Sequence, residues 1–160
     1  MKVRDIMTTD VVSVRRDTSV NEVAKLMGAR DISGVPVVDE TGTVVGIITE
    51  LDMIVRNTRM DVPRFLQILD LGRIPLELPG HYLERMRHML GTLAEDIMSR
   101  EVVTIEPGDS VEQLAELMVE RRVNPVPVVE NGRLVGIVSR ADLIDMMAAE
   151  MNTPAEEASA

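Results

Sequence analysis

Two short motifs place a hydroxyl one helical turn before a carboxylate. Thr49-x-x-Asp52 and Ser139-x-x-Asp142 follow the apolar runs Gly46-Ile47-Ile48 and Gly136-Ile137-Val138. If each run is a strand that opens into a helix, the helix end presents free N–H groups and about half a positive charge. That end suits an anion such as phosphate, and the Thr or Ser hydroxyl adds a donor. The carboxylate can accept from two neighbouring hydroxyls, as a ribose offers. The same residues also suit plain N-terminal capping, with an acidic side chain favoured by the helix dipole. The residues alone leave both readings open, and one cap can serve both.

Other chemistry is sparse. The chain has no Cys, which excludes thiolate catalysis, Cys-bound metal and disulfides. His81, Glu84 and His88 share one face at helical spacing, a set that suits several divalent ions. Arg85 and Arg87 lie beside them and disfavour a cation, so the expectation is a solvated face and no metal. Both His residues are far in sequence from any Ser or Asp that could complete a catalytic set. No Gly-rich phosphate loop of the Walker or Rossmann type occurs. The expectation is no catalytic residue and no independent enzyme.

The elements that must position the two motifs occur twice. Asp5-Ile6-Met7-Thr8 returns as Asp96-Ile97-Met98-Ser99, and Val11–Val14 as Val102–Ile105. Ser19-x-x-Glu22 returns as Ser110-x-x-Gln113, and Val35-Pro36-Val37-Val38 as Val126-Pro127-Val128-Val129. Each copy reads strand, helix, strand, strand, helix. Val11–Val14 is a short β-rich run. The Ser-led pairs are capping boxes, followed by Val23, Leu26 and Met27, or Leu114, Leu117 and Met118, at helical spacing. Asp39-Glu40-Thr41-Gly42 and Glu130-Asn131-Gly132 are hairpin turns with Gly for positive φ. The second helix opens at Thr49 or Ser139. One copy is too small to cover its own sheet, and two packed sheet to sheet can. The fold class is therefore α/β (or α+β). The expected divisions are a first repeat at 1–58, a helical insert at 59–92, a second repeat at 93–148 and an acidic flexible tail at 149–160. In the insert, Phe65, Leu66, Ile68 and Leu69 suit packing on the core or a partner. Met146, Met147 and Met151 suit a core or a dimer face equally.

Composition narrows the partners. The net charge of −10 argues against sequence-independent nucleic-acid binding. One Tyr, one Phe and no Trp leave almost no base-stacking surface. The charge concentrates in residues 93–160, where 14 acidic groups face 5 basic ones. No segment approaches the roughly 20 apolar residues that span a bilayer, and no apolar signal region follows Met1–Asp5. The expectation is a soluble cytoplasmic protein without membrane or nucleic-acid partners.

The ordered, duplicated pattern of Asp-Ile-Met, Val-Pro-Val-Val and Gly-h-h-[Thr/Ser]-x-x-Asp resembles a tandem pair of CBS domains, often called a Bateman module. The resemblance covers 1–58 and 93–148. It implies a pseudo-symmetric pair whose clefts bind adenosine-containing ligands such as AMP, ADP, ATP or S-adenosylmethionine. It implies a homodimer and a regulatory role, here through an effector protein in trans, with no required cofactor. It assigns ribose contacts to Asp52 and Asp142, and phosphate-side contacts to Thr49 and Ser139. It places Val35, Pro36, Val126 and Pro127 along the adenine pocket. The alternative is a structural dimerisation adaptor with vestigial sites. Some AMP-sensing relatives carry a basic residue before the Val-Pro pair; here Gly34 and Pro125 stand there, which argues against a site of that kind. Glu50 and Arg140 occupy matching positions, as do Asp31 and Arg122. If these side chains face their own repeat's site, Arg140 favours phosphate and Glu50 repels it. Phosphate is then expected at the Ser139 site.

Overall fold

The computed structural model describes residues 1–57 and 92–151. Most of the expected insert and tail, including His81, Glu84, His88 and Phe65–Leu69, lies outside the described residues. Elements are numbered over the described chain. The first half holds α1 (Val20–Arg30), β1 (Gly34–Val38), β2 (Val44–Thr49) and α2 (Glu50–Asn57). The second holds α3 (Ala94–Ile97), α4 (Val111–Arg121), β3 (Val126–Glu130), β4 (Arg133–Val138) and α5 (Arg140–Met151).

Local chemistry sets the boundaries. The Ser19 hydroxyl accepts from Glu22 N (3.2 Å) to start α1. At α4 the box closes both ways, with Ser110 Oγ accepting from Gln113 N (3.1 Å) and Gln113 Oε1 from Ser110 N (2.9 Å). Both helices end in a left-handed residue, Asp31 (φ 51) and Arg122 (φ 53). β1 and β2 pair antiparallel, as do β3 and β4. Asn131 (φ 52) and Gly132 (φ 79) form the tight second turn, the conformation that an Asn-Gly pair favours.

The strand expected over Val11–Val14 shrinks to one rung. Val14 N donates to Pro36 O (3.0 Å), and Val38 N donates to Val14 O (2.9 Å). The next rung would need the N–H of residue 36, and proline has none. Ile105 repeats this against Pro127 O (3.2 Å) and Val129 N (2.9 Å), and the ladder stops at Pro127 for the same reason.

Each half completes itself with a segment from the other copy. Thr8 and Ile137 exchange backbone bonds of 2.9 and 3.0 Å, adding the N-terminal segment to the edge of β4. Ser99 and Ile47 do the same at β2, at 2.9 and 3.0 Å. Ala94, Ile97 and Met98 therefore lie in the core built on α1, β1 and β2. Val3 lies in the core built on α4, β3 and β4. The repeated glycines explain the repeated methionines. A Cβ at Gly46 would fall on the Met98 side chain, and one at Gly136 on Met7. Asp5 and Asp96 hold the start of each crossing segment, accepting from Lys2 N (2.8 Å) and Leu93 N (3.0 Å).

The first hairpin turn is tied by a carboxylate. Asp39 Oδ1 accepts from Thr41 Oγ1 (2.7 Å), Thr41 N (2.9 Å) and Thr43 N (3.0 Å). These bonds, the Thr41 hydroxyl first among them, hold the Asp39 carboxyl below its ordinary value of 3.8. A carboxyl lowered by folding stabilises the fold above its unfolded value, and the effect fades as pH falls through the lower folded value. Asp39→Asn is therefore expected to lose less stability than the parent on acidification. Urea midpoints at pH 6 and pH 3 read this, and parallel losses in the two proteins would refute it.

Candidate functional site

Two clefts lie side by side between the halves. Because each copy's ladder stops at its proline, Val11 and Val12 turn out of one sheet and Val102 and Val103 out of the other. The first pair lines a cavity of about 400 Å³ and the second a cavity of about 270 Å³. Ser33, Asn124, Pro125 and Glu50 border both. The wall between the clefts is thus the pair of segments just ahead of β1 and β3. Gly34 faces Pro125 across it so closely that a side chain there would meet the proline ring. Asn124 Nδ2 donates to Ser33 Oγ (3.3 Å), and Asn124 Oδ1 accepts from Arg140 N (2.9 Å). Ser33 matches Asn124 and Gly34 matches Pro125 in the two copies, so the repeat offset carried the signal for these wall residues.

The hydroxyl–carboxylate motifs border the clefts as caps. Thr49 lines the smaller cleft, and Ser139 and Asp142 line the larger. Asp52 Oδ2 accepts from Thr49 N (2.8 Å) and Thr49 Oγ1 (3.0 Å). Asp142 Oδ2 accepts from Ser139 N (2.6 Å) and Ser139 Oγ (2.7 Å). The helices begin one residue after the hydroxyl, at Glu50 and Arg140. Glu50 N donates to Ser33 O (3.0 Å) and Arg140 N to Asn124. The first two N–H groups at each helix start are therefore already paired inside the fold, so less of the helix end faces a ligand than the sequence suggests.

Three expected placements change. Asp52 does not line its cleft. Val35, Pro36, Val126 and Pro127 are buried in the sheets and line neither cavity. The prolines act from behind, by ending the ladders. Each cleft joins a helix start from one copy to a helix end from the other, yet Arg140, at the start of α5, borders the Thr49 cleft and not the Ser139 cleft. Arg122 joins Arg140 there, and Asp31 borders the Ser139 cleft. The basic residues expected beside Ser139 thus border the Thr49 cleft instead.

Among the described residues no charged or polar residue is buried, and no group of three His, Asp or Glu residues could hold a metal. No described helix is long and apolar enough to cross a membrane.

Two interlocked α/β repeats with a cleft on either side of a shared wall form a paired-repeat module. The family model for the CBS domain matches residues 3–56 and 94–149. The chain belongs to the CBS-domain family and carries two copies of the domain. It is similar to protein MJ1426 of Methanocaldococcus jannaschii, 34% identical over 92% of this chain and 91% of that protein. The crystal structure of CBSX2 in complex with AMP shares the fold, with TM-score 0.76 and 22% identity over 96% of this chain and 99% of that one. The CBS domain pair of MJ0100, solved with 5′-methylthioadenosine and S-adenosyl-L-methionine, gives TM-score 0.69. It is 26% identical over 94% of this chain and 98% of that one.

Proposed function

We propose that this protein is a ligand-sensing regulatory module. It takes an adenosine-containing ligand in the clefts between its repeats and alters a partner protein in trans. One observation carries the reading: each cleft is assembled from both halves around a shared wall. A ligand there touches both repeats at once. It can shift their arrangement to the extent that it binds one arrangement better than another. The adenosine compounds bound by the CBSX2 and MJ0100 pairs support the ligand class. In this reading Thr49, Ser139 and Asp142 meet the ligand directly. Asp52 is a positioning residue that holds Thr49. Val35, Pro36, Val126 and Pro127 form the backing of the site, and Arg140 serves the Thr49 cleft.

Thermal unfolding against AMP, ADP, ATP, S-adenosylmethionine, NAD and cyclic dinucleotides tests it. A ligand at about 100 times its Kd adds about 2.7 kcal/mol. For a chain of this length that raises Tm by roughly 5–10 °C. Thr49→Ala and Asp142→Ala each remove a cap interaction, worth about 1 kcal/mol, so the informative quantity is the ligand-induced shift. That shift is expected to shrink in at least one variant. A flat panel refutes the adenosine reading. The exposed Leu51, Ile54, Ile144 and Met147 on α2 and α5 favour a second role as a homodimer face. Partner binding that ignores nucleotide would favour that adaptor role.

A further inference from the structure

The two clefts are alike in plan and unlike in charge. The left-handed residue ending α1 is Asp31, and its counterpart ending α4 is Arg122. Asp31 borders the Ser139 cleft, and Arg122 borders the Thr49 cleft. The first helical residues of α2 and α5 are likewise opposite, Glu50 and Arg140. Glu50 borders both clefts, whereas Arg140 borders only that of Thr49. Asp10 and Glu101 match each other and give each cleft one carboxylate. Asp142 adds another on the Ser139 side alone. Among the described residues the Ser139 cleft is thus bordered by four acidic residues, Asp10, Asp31, Glu50 and Asp142, and by no basic one. The Thr49 cleft sets Arg122 and Arg140 against Glu50 and Glu101.

The first backbone donors at the two helix starts are engaged alike. The N–H groups of Thr49, Glu50, Ser139 and Arg140 all have partners within the fold. Side-chain charge is then the main electrostatic distinction between the sites. A concave site focuses the field of its lining charges. Arginine presents a planar fork of donors that fits phosphate oxygens.

We infer that the two clefts sort adenosine ligands by the charge of the group attached to the nucleoside. The Thr49 cleft takes a phosphate-bearing ligand. The Ser139 cleft takes one whose attached group is cationic, such as an adenosyl sulfonium. This rests on the adenosine reading above and adds to it a ligand class for each cleft. Asp31 against Arg122, Asp142 at the one cleft and Arg140 at the other make the difference.

Calorimetric titration of the full chain with AMP, S-adenosylmethionine and uncharged adenosine tests the inference, together with a crystal structure of the AMP complex. AMP and S-adenosylmethionine are expected to bind together without displacing each other, with AMP in the Thr49 cleft. Arg122→Asp copies the residue at position 31. It is expected to weaken AMP by about ten-fold or more, the scale of one lost charged hydrogen bond. S-adenosylmethionine and adenosine should be little changed. Asp31→Arg is expected to weaken S-adenosylmethionine while leaving adenosine. Retained adenosine binding shows that a variant cleft is intact. Mutual displacement of AMP and S-adenosylmethionine, AMP in the Ser139 cleft, or AMP affinity unmoved in Arg122→Asp would overturn the sorting and leave the adenosine reading standing. If none of the three compounds binds, the adenosine reading fails and the sorting fails with it. If Arg122→Asp does not fold, displacement in the parent protein and the AMP structure still decide.

Discussion

Ile97→Ala is expected to destabilise the chain by about 2–5 kcal/mol, the range for emptying a fully buried aliphatic site. Ile97 is among the largest fully buried side chains described. By sequence it belongs to the second copy. In space it sits in the core of the first, where α3 packs on α1 and β2. The emptied space lies against α1 and β2, which backbone bonds pin in place, so little collapse can offset the loss. Urea unfolding would read the change as a lower midpoint at unchanged slope. A double-mutant cycle locates the effect. Coupling with Val23→Ala on α1 should reach about 0.5 kcal/mol or more, and coupling with Leu114→Ala in the other core should be near zero. The reverse pattern, or a loss below about 1 kcal/mol, would contradict the crossed packing.

This crossing marks what the sequence could and could not reveal. The duplicated strands, helices and turns were legible because each rests on local chemistry. Ser110 and Gln113 close a capping box, Gly132 takes a positive φ, and Val23, Met27, Leu114 and Met118 fall on buried helix faces. The partner of the Asp-Ile-Met segment was not legible. A repeat offset shows that two segments are alike, and it is silent on which copy each one joins. The same limit misplaced Arg140. Its position beside Ser139 in sequence suggested a shared site, yet a helix's first side chain can project across the wall into the neighbouring cleft. The role of Pro36 and Pro127 was hidden for a different reason. A missing N–H matters only once it is known which strand would have used it, and here that strand is the run before α1 or α4. Gly46 and Gly136 carry no local signal beyond their place in an apolar run, yet each seats a methionine that arrives from the other copy.

Gly34→Ala is expected to lower stability and to weaken ligand binding in both clefts together. The substitution shortens the list of conformations open to the unfolded chain, which by itself stabilises by about 0.4–1 kcal/mol. Against that, the new Cβ would stand 2.9 Å from Pro125 Cγ, nearer still to Cδ, and 3.3 Å from Ile48 O. The pyrrolidine ring cannot swing aside as a flexible side chain would. Overpacking of this kind costs about 1–3 kcal/mol, so the clash outweighs the entropic gain. Gly28→Ala is the matched control, since a Cβ at that site in α1 meets nothing within 4 Å. It should stabilise by up to about 1 kcal/mol. The strain at Gly34 can be relieved only by parting the wall, and Ser33, Asn124 and Pro125 border both cavities. Calorimetry with AMP and S-adenosylmethionine should therefore show both affinities falling in Gly34→Ala and neither moving in Gly28→Ala. A loss confined to one cleft would mean that the two sides of the wall shift independently. The repeats would then lack the rigid contact through which occupancy of one cleft could be felt at the other.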